Sequence, residues 1–246
     1  MTTTYSVTRD QVILAALRKL GQIEPGDTAA TVDSNIISNC AQSLNLMLKQ
    51  WMTDGIKLWT YNEYVLPLVA SQTSYVIGPS GPGLVGDKPL RLIQGQGLTF
   101  LRNTSVTPNI DTPMQILSRQ EYLSLGSKFS TGTTNSVYLD VGKTSSTLYV
   151  YLTPDATTAT NYQLHFTAQR PINDILTSTD VPDFPNEWMQ ALVWGLADQL
   201  AIEFDVPANH RQEILMRAEK YKSMLEDWDV EASSTMFIPD YRFRMS

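Results

Sequence analysis

Apolar residues recur every three or four positions near both ends of the chain, and every second position in between. The first helical run begins after Thr8, whose spacing to Gln11 is that of a capping box, and Gly21 is expected to end it. Its apolar stripe consists of Ile13, Ala16, Leu17 and Leu20. A stripe at this spacing predicts an amphipathic helix with one buried face.

Three longer helices are predicted by the same spacing. One begins near Ala29 or Ala30 and ends at Gly55, and Pro185 and Pro207 stand where the other two begin. Their stripes are Ile37, Ala41, Leu44, Leu48 and Trp51; Trp188, Leu192, Leu196 and Leu200; and Ile214, Ala218, Tyr221, Leu225 and Trp228. Because Trp51 and Trp228 each end a stripe, both side chains are expected to be buried.

Between the helical segments the apolar period changes to two. Short alternating runs such as "SVYLDV" and "TLYVYL" are separated by Gly, Pro, Asn, Thr and Ser, which is typical of an antiparallel meander. Ser118 and Glu121 form a second capping box and predict one short helix within this region. The predicted fold class is α+β. An antiparallel helical bundle comprises residues 1–60 and 180–232, an antiparallel β module at 61–179 is inserted between its halves, and an extended C-terminal arm covers 233–246.

A stretch rich in Gly and Pro, "YVIGPSGPGLVGDKPLRLI", invites two chemical hypotheses. A phosphate-binding loop requires Lys and then Ser or Thr after its last glycine, but Asp87, Lys88 and Pro89 follow Gly86. A nucleophile elbow around Ser80 requires a glycine where Pro82 stands, and a helix where the sequence predicts a strand. The stretch is therefore interpreted as a wide loop between strands.

Composition and charge argue against several classes of protein. The net charge is −7 over 246 residues; residues 1–179 carry 12 acidic and 12 basic side chains, whereas residues 180–230 carry 11 acidic and 4 basic. This distribution opposes the weakest alternative, a nucleic-acid-binding protein, because such a protein needs a basic stripe. No apolar run is long enough for a membrane span, and no secretory signal is recognisable. A single cysteine fits folding in a reducing cytoplasm.

Candidate catalytic and metal-binding residues are few. His165 is predicted on the outward phase of a strand and His210 in the first turn of the last helix, so no metal site or other cofactor is expected. Cys40 is expected to be a small buried hydrophobe. The acids Asp180, Asp183 and Glu187 flank a predicted helix N-terminus, where they offset the helix dipole. We expect no enzyme, although a virion-associated peptidoglycan hydrolase stays the alternative, since paired carboxylates exist.

In order and spacing, several segments resemble those of the head-to-tail adaptor proteins of short-tailed bacteriophages. The segments are "ILAALRKLGQI", "LNLMLKQWMTDGIKLW", "SQTSYVIGP" with "DKPLRLI", "SRQEYLSL" and "VPDFPNEWMQALVWGLADQLAIEFDVP". They span about residues 8–230. The resemblance implies a virion structural protein at the head–tail junction. It would form a dodecameric ring under the portal protein, extend the DNA channel, help retain the genome and carry tail nozzle or fibre proteins.

Two sets of residues are candidates for this role. The family's C-terminal arm reaches the portal, and the matching residues here are Met236, Phe237, Ile238, Tyr241, Arg242, Phe243 and Arg244. Aromatic residues and arginine dominate interfaces, although a disordered end is the alternative for this segment. The second set is Glu226, Asp227 and Asp229, within the segment that carries the excess charge. These acids are expected to face enclosed double-stranded DNA without binding its sequence.

Overall fold

The elements follow the order helix, strand, helix along the chain. The computed structural model describes residues 6–53, 58–80, 83–95 and 97–228, and these contain six α-helices and twelve strands. The helices are α1 (Arg9–Lys19), α2 (Ser34–Thr53), α3 (Arg119–Ser124), α4 (Ala156–Asn161), α5 (Met189–Glu203) and α6 (Ala208–Trp228). The strands are β1 (Tyr61–Pro67), β2 (Ser74–Gly78), β3 (Leu84–Val85), β4 (Arg91–Leu92), β5 (Thr99–Asn103), β6 (Ile110–Pro113), β7 (Gln115–Ile116), β8 (Thr131–Gly132), β9 (Ser136–Val141), β10 (Ser146–Tyr151), β11 (Thr153–Pro154) and β12 (Tyr162–Gln169). The mixed helix and sheet composition is as predicted.

The chain divides into two compact units. The first, the helical unit, comprises Met1–Met47, Asp54–Leu58 and Asn186–Ser246, and the second, the β unit, comprises Leu48–Thr53 and Trp59–Pro185. In the helical unit α5 packs against both α1 and α6. Among the described residues, no helix combines the length and the apolar character that a bilayer span requires.

Local hydrogen bonds fix the starts of the helices. The side chain of Gln11 accepts a hydrogen bond of 2.9 Å from the Thr8 backbone, as the predicted capping box requires. The same box forms at α3, where Ser118 donates its backbone N–H to Glu121 at 2.7 Å. Gly21 follows α1 with a φ of +71°, a left-handed conformation that glycine adopts without steric cost.

Helix α2 begins later than predicted, at Ser34 rather than at Ala29 or Ala30. The hydroxyl of Thr31 donates to Asp27 at 3.2 Å and accepts from the Thr28 backbone at 3.0 Å, so this segment forms a turn. The backbone N–H of Asn35 then donates to the Asp33 side chain at 2.8 Å. Short polar side chains that bond to nearby backbone compete with helix formation, which explains the later start.

Two five-stranded sheets form most of the β unit. The first sheet has the order β1-β12-β5-β6, with β4 also pairing with β12, and the second has the order β3-β2-β10-β9-β7. The main pairs are antiparallel, as predicted, but the short pairs β2–β3, β7–β9 and β8–β11 are parallel. The order is also not a meander, because β1 pairs with β12 at the other end of the module. Alternation predicts which face of a strand is buried but not which strand lies beside it.

Residues from both large sheets form one hydrophobic core. The alternation in β1 is confirmed, because Tyr64 and Leu66 are buried whereas Val65 is exposed. The Tyr64 ring stacks on Phe166 of β12 with 5.1 Å between centroids. The core residues are Tyr64, Leu66, Leu68, Tyr75, Ile77, Leu101, Val137, Leu148, Val150, Leu164, Phe166 and Ala168.

The predicted helical stripes are buried except in the last turns of α6, where Tyr221 and Leu225 are only half-buried. Every residue of the α2 stripe is buried, and so are Trp188, Leu192, Leu196 and Leu200 before and along α5. On α6, Ile214 and Ala218 are buried, but Trp228 is 81% exposed. The prediction that Trp228 is buried is therefore wrong, whereas Trp51 is buried as expected, with 6% of its surface exposed.

Candidate interaction surface

Helix α6 is held in the helical unit by polar and cationic contacts around one tryptophan. The ring of Trp194 on α5 has Lys19 Nζ of α1 and Arg217 Cζ of α6 each 5.1 Å from its centroid. Arg217 is itself oriented by Glu213, one turn earlier, at 2.7 Å. At the start of α6, His210 Nε2 lies 2.9 Å from the Lys19 carbonyl oxygen. These contacts join the first half of α6 to α1 and α5.

The second half of α6 lines an open apolar groove. The groove has a volume of about 390 Å³, and its lining consists of Glu187, Gln190, Tyr221, Met224, Leu225 and Trp228. Met224 is 56% exposed and Trp228 is 81% exposed. The last turns of α6 lie beside the N-terminal end of α5. The residues that face the apolar stripe there are polar, namely Glu187 just before α5 and Gln190 on it. The stripe thus extends beyond its apolar partner, which explains why Trp228 is exposed.

A row of polar and aromatic side chains lies on one face of the first sheet and consists of Glu63, His165, Phe100, Arg102 and Asp111. His165 lies on the face opposite Leu164 and Phe166, as predicted, but only 5% of it is exposed. Its Nδ1 lies 2.6 Å from Glu63 Oε1, and its ring stacks on Phe100 at 4.9 Å. Its Nε2 is buried and has no hydrogen-bond partner among the described residues. The pattern missed this burial because the covering residues lie on β1 and β5.

This row of side chains ends on the edge strand β6, at Asp111. Arg102 donates two hydrogen bonds of 2.8 Å to the Asp111 carboxylate, which hold the pKa of that carboxyl below its usual value. The Arg102 guanidinium also lies 5.1 Å from the centroid of the Phe100 ring. Register explains the pairing, because Arg102 and Asp111 stand directly opposite each other.

Three tyrosines form a cluster on the second sheet. Tyr122 of α3 lies 5.2 Å from Tyr138 and 5.1 Å from Tyr149, measured between ring centroids. In the loop that follows α3, Phe129 is 81% exposed. The sequence showed these residues only as the outward phases of two strands and a short helix, so the cluster was not predicted.

The candidate catalytic and metal residues are dispersed. No group of three or more His, Cys, Asp or Glu side chains within the described residues could hold a metal ion. Asp180 accepts hydrogen bonds from the backbone of Leu176 and Thr177, at 2.9 and 2.7 Å. Cys40 is fully buried as expected, and burial, aided by the charge of Glu203, raises the pKa of its thiol to about 11. A protonated buried thiol is a packing residue rather than a nucleophile.

The stretch rich in Gly and Pro joins two strands, as predicted. Ile77 of β2 pairs with Leu84 of β3, so a strand rather than a helix follows the loop. Lys88 Nζ donates to the carbonyl oxygens of Gly142 and Lys143 at 3.0 and 3.2 Å. This lysine therefore anchors the loop to the turn between β9 and β10.

The comparison with protein-family models identifies the family. The model of the SU10 adaptor protein family matches residues 7–235, most of the chain. The chain belongs to this family. No curated protein matches it. The family identifies the chain as a phage head-to-tail adaptor, a virion component that associates with portal and tail components. Its role is structural rather than enzymatic.

The structure describes two of the three predicted channel-facing acids and none of the predicted arm residues. Glu226 lies near the end of α6, 3.9 Å from Lys222 Nζ, and Asp227 is exposed. Asp229 and the arm residues Met236, Phe237, Ile238, Tyr241, Arg242, Phe243 and Arg244 lie outside the described residues. The family match ends at residue 235, so these arm residues also lie beyond the matched region.

Proposed function

We propose that this chain assembles as a ring, a dodecamer, beneath the portal protein of a bacteriophage. The ring extends the channel for double-stranded DNA, helps retain the packaged genome, and anchors tail nozzle or fibre proteins. The observation that carries this proposal is the family match over residues 7–235.

In this proposal each part of the chain has its own task. Residues 1–60 and 180–232 form an antiparallel helical bundle that serves as the body of the ring subunit, and residues 61–179 form the inserted β module. The contacts of α5 with α1 and α6 support the assignment of the body. The exposed Phe129 and the tyrosine cluster suit the β module for contact with tail proteins, because aromatic residues are enriched at the centres of interfaces.

The acidic segment suits the lining of a DNA channel. Residues 180–230 contain the whole of the net charge of −7, and Glu226 and Asp227 stand at the end of α6. Like charge keeps the phosphate backbone from adhering, so DNA is enclosed without being bound. We therefore assign Glu226, Asp227 and Asp229 to the channel side of the ring.

The arm, residues 233–246, is proposed to attach the ring to the portal. It carries aromatic side chains at Phe237, Tyr241 and Phe243 and guanidinium groups at Arg242 and Arg244. Pro239 prevents a continuous helix, so the arm binds in an extended form. One such segment binds weakly, but many copies in a ring bind together with high avidity.

The test is binding to the portal protein by three chains. The first chain is the full chain, the second is shortened to residues 1–233, and the third is the full-length double variant Phe237→Ala/Phe243→Ala. Each is mixed with portal rings and analysed by size exclusion and electron microscopy. The full chain is expected to add a ring beneath the portal, and the other two chains are expected to stay folded but unbound. Phe129→Ala, which removes an exposed aromatic of the β module, is the matched control and should bind normally. Normal attachment of residues 1–233 would instead assign portal binding to the folded body.

A further inference from the structure

The groove at the end of α6 leaves large apolar side chains in contact with water. Trp228 is 81% exposed and Met224 is 56% exposed, and both border the same groove of about 390 Å³. This volume lies within the range of pockets that bind ligands. Binding sites for other segments or molecules are typically concave and lined mainly by apolar side chains, as this groove is.

The position of the groove along the chain indicates its occupant. Trp228 is the last described residue of α6 and lies on the rim of the groove, so residues 229–246 follow directly from the site. Seven residues, 229–235, can span at most about 25 Å. Tyr221 and Trp228 are about 10 Å apart along the helix axis. The chain can therefore turn back and bring residues 236–244 onto the groove.

The chemistry of this returning segment complements the groove. It carries Met236, Phe237 and Ile238, which suit an apolar lining, followed by Arg242 and Arg244. Glu187 lies in the lining, and Glu226 and Asp227 flank the end of α6. Carboxylates beside an apolar centre fix the orientation of a segment that has arginine at one end and apolar residues at the other.

We propose that the groove formed by Tyr221, Met224, Leu225 and Trp228 binds residues 236–244 of the same chain. A short linker gives the segment a high local concentration, so docking within one chain precedes docking between chains. The free protein thus keeps its apolar arm covered until a partner of higher affinity takes it. The docking concerns the free chain alone and holds whichever partner the arm later meets.

The first test is disulfide cross-linking in a Cys40→Ala background. The variant Met224→Cys/Phe237→Cys places one thiol in the groove and one in the arm. The control is Met216→Cys/Phe237→Cys, because Met216 lies on the same helix with nearly the same exposure, 57% against 56%, but outside the groove. We expect the groove variant to form an intrachain disulfide about tenfold faster than the control, since effective concentration sets the rate.

Each other result of the cross-linking overturns the proposal. Equal rates for the two variants mean that the arm does not prefer the groove. Covalent dimers from the groove variant mean that the arm of a second copy occupies it, and no disulfide at all means that the arm is elsewhere.

The second test uses the fluorescence of Trp228. Acrylamide should quench residues 1–233 more strongly than the full chain, because removal of the arm uncovers the indole. The difference should vanish in a Trp228→Phe background, and a peptide of residues 234–246 should restore protection to residues 1–233. Quenching that is equal in the full and shortened chains overturns the proposal. Both tests omit portal protein, so their failure leaves the proposed ring and its attachment unaffected.

Discussion

The guanidinium of Arg170 donates two hydrogen bonds to the carboxylate of Asp183, with lengths of 2.5 and 3.0 Å. Arg170 directly follows β12, and both side chains are largely buried, at 13% and 23% exposed. Asp183 also accepts a hydrogen bond of 3.3 Å from the backbone of Asn173. The pair therefore closes the segment that leads from the last strand of the β unit to Pro185.

Removal of one partner of this pair is expected to destabilise the β unit. Arg170→Ala or Asp183→Asn leaves a buried polar group without its partner, which costs about 2–3 kcal/mol in the free energy of unfolding. The measurement is urea unfolding of both single variants and the double variant. Arg102 and Asp111 supply the control, because they form an equally bidentate but more exposed pair, at 33% and 40%. Breaking that pair should cost clearly less than breaking Arg170–Asp183, because exposed ion pairs contribute little to stability, and equal losses at the two sites would contradict the prediction.

The two tryptophans that end apolar stripes are expected to differ in their effects on stability. Trp51 is buried and lies against Phe184 in an edge-to-face contact, with 6.2 Å between centroids. Trp51→Ala should therefore destabilise the protein by about 3–5 kcal/mol. Trp228→Ala, made in residues 1–233 so that no arm covers the ring, removes an exposed side chain and should change the free energy of unfolding of that chain by about 0.5 kcal/mol or less. Thermal unfolding of both variants decides, and similar losses would mean that Trp228 is part of the core.

The contrast between these tryptophans shows what a sequence pattern determines. The stripe of α6 correctly predicts which side of the helix faces α5, and Ile214 and Ala218 are buried on it. It does not predict that the polar Glu187, just before α5, and Gln190 on α5 lie opposite the last turns. Periodicity describes one element at a time, whereas burial depends on the length and composition of the partner.

Pairings between distant residues were beyond prediction for a related reason. Asp183 was interpreted as an acid that offsets a helix dipole, but its partner is Arg170. Likewise, alternation placed His165 correctly opposite Leu164, yet Glu63 and Phe100 bury it. A charge or a phase along one strand does not specify which strand lies beside it, so tertiary contacts of this kind require the structure.

The buried thiol of Cys40 predicts a loss of stability at alkaline pH. Burial, with a further contribution from Glu203, raises the pKa of this thiol from 9.0 to about 11 in the folded chain. The unfolded chain therefore releases the thiol proton at lower pH than the folded chain. The stabilisation is complete below about pH 9 and is lost as the pH rises towards 11, by about 2–3 kcal/mol in total.

The measurement is the free energy of unfolding at intervals from pH 8 to pH 11, with and without Cys40→Ala. Tyr64 titrates in the same direction, because burial, aided by the charge of Asp87, raises its pKa to about 12. The wild type should lose more stability than Cys40→Ala across this window, and the difference isolates the thiol. Parallel profiles would show that Cys40 does not contribute.

The acids at the end of α6 yield the prediction closest to function. If Glu226, Asp227 and Asp229 face the channel, three substitutions to Lys attract the phosphate backbone where carboxylates repelled it. Virions that carry this variant should assemble and package DNA normally but eject it more slowly. Attraction between exposed charges is screened by salt, so raising the ionic strength should restore the rate.

The matched variant replaces the same residues with Gln, Asn and Asn, which retains shape and removes charge. Its ejection rate should fall between those of the wild type and the lysine variant, because the effect follows charge rather than side-chain volume. Ejection is measured on purified virions by the release of DNA to an intercalating dye, with particle counts as the control for assembly. Equal ejection rates for all three virions at low salt would mean that these acids lie on the outer side of the ring.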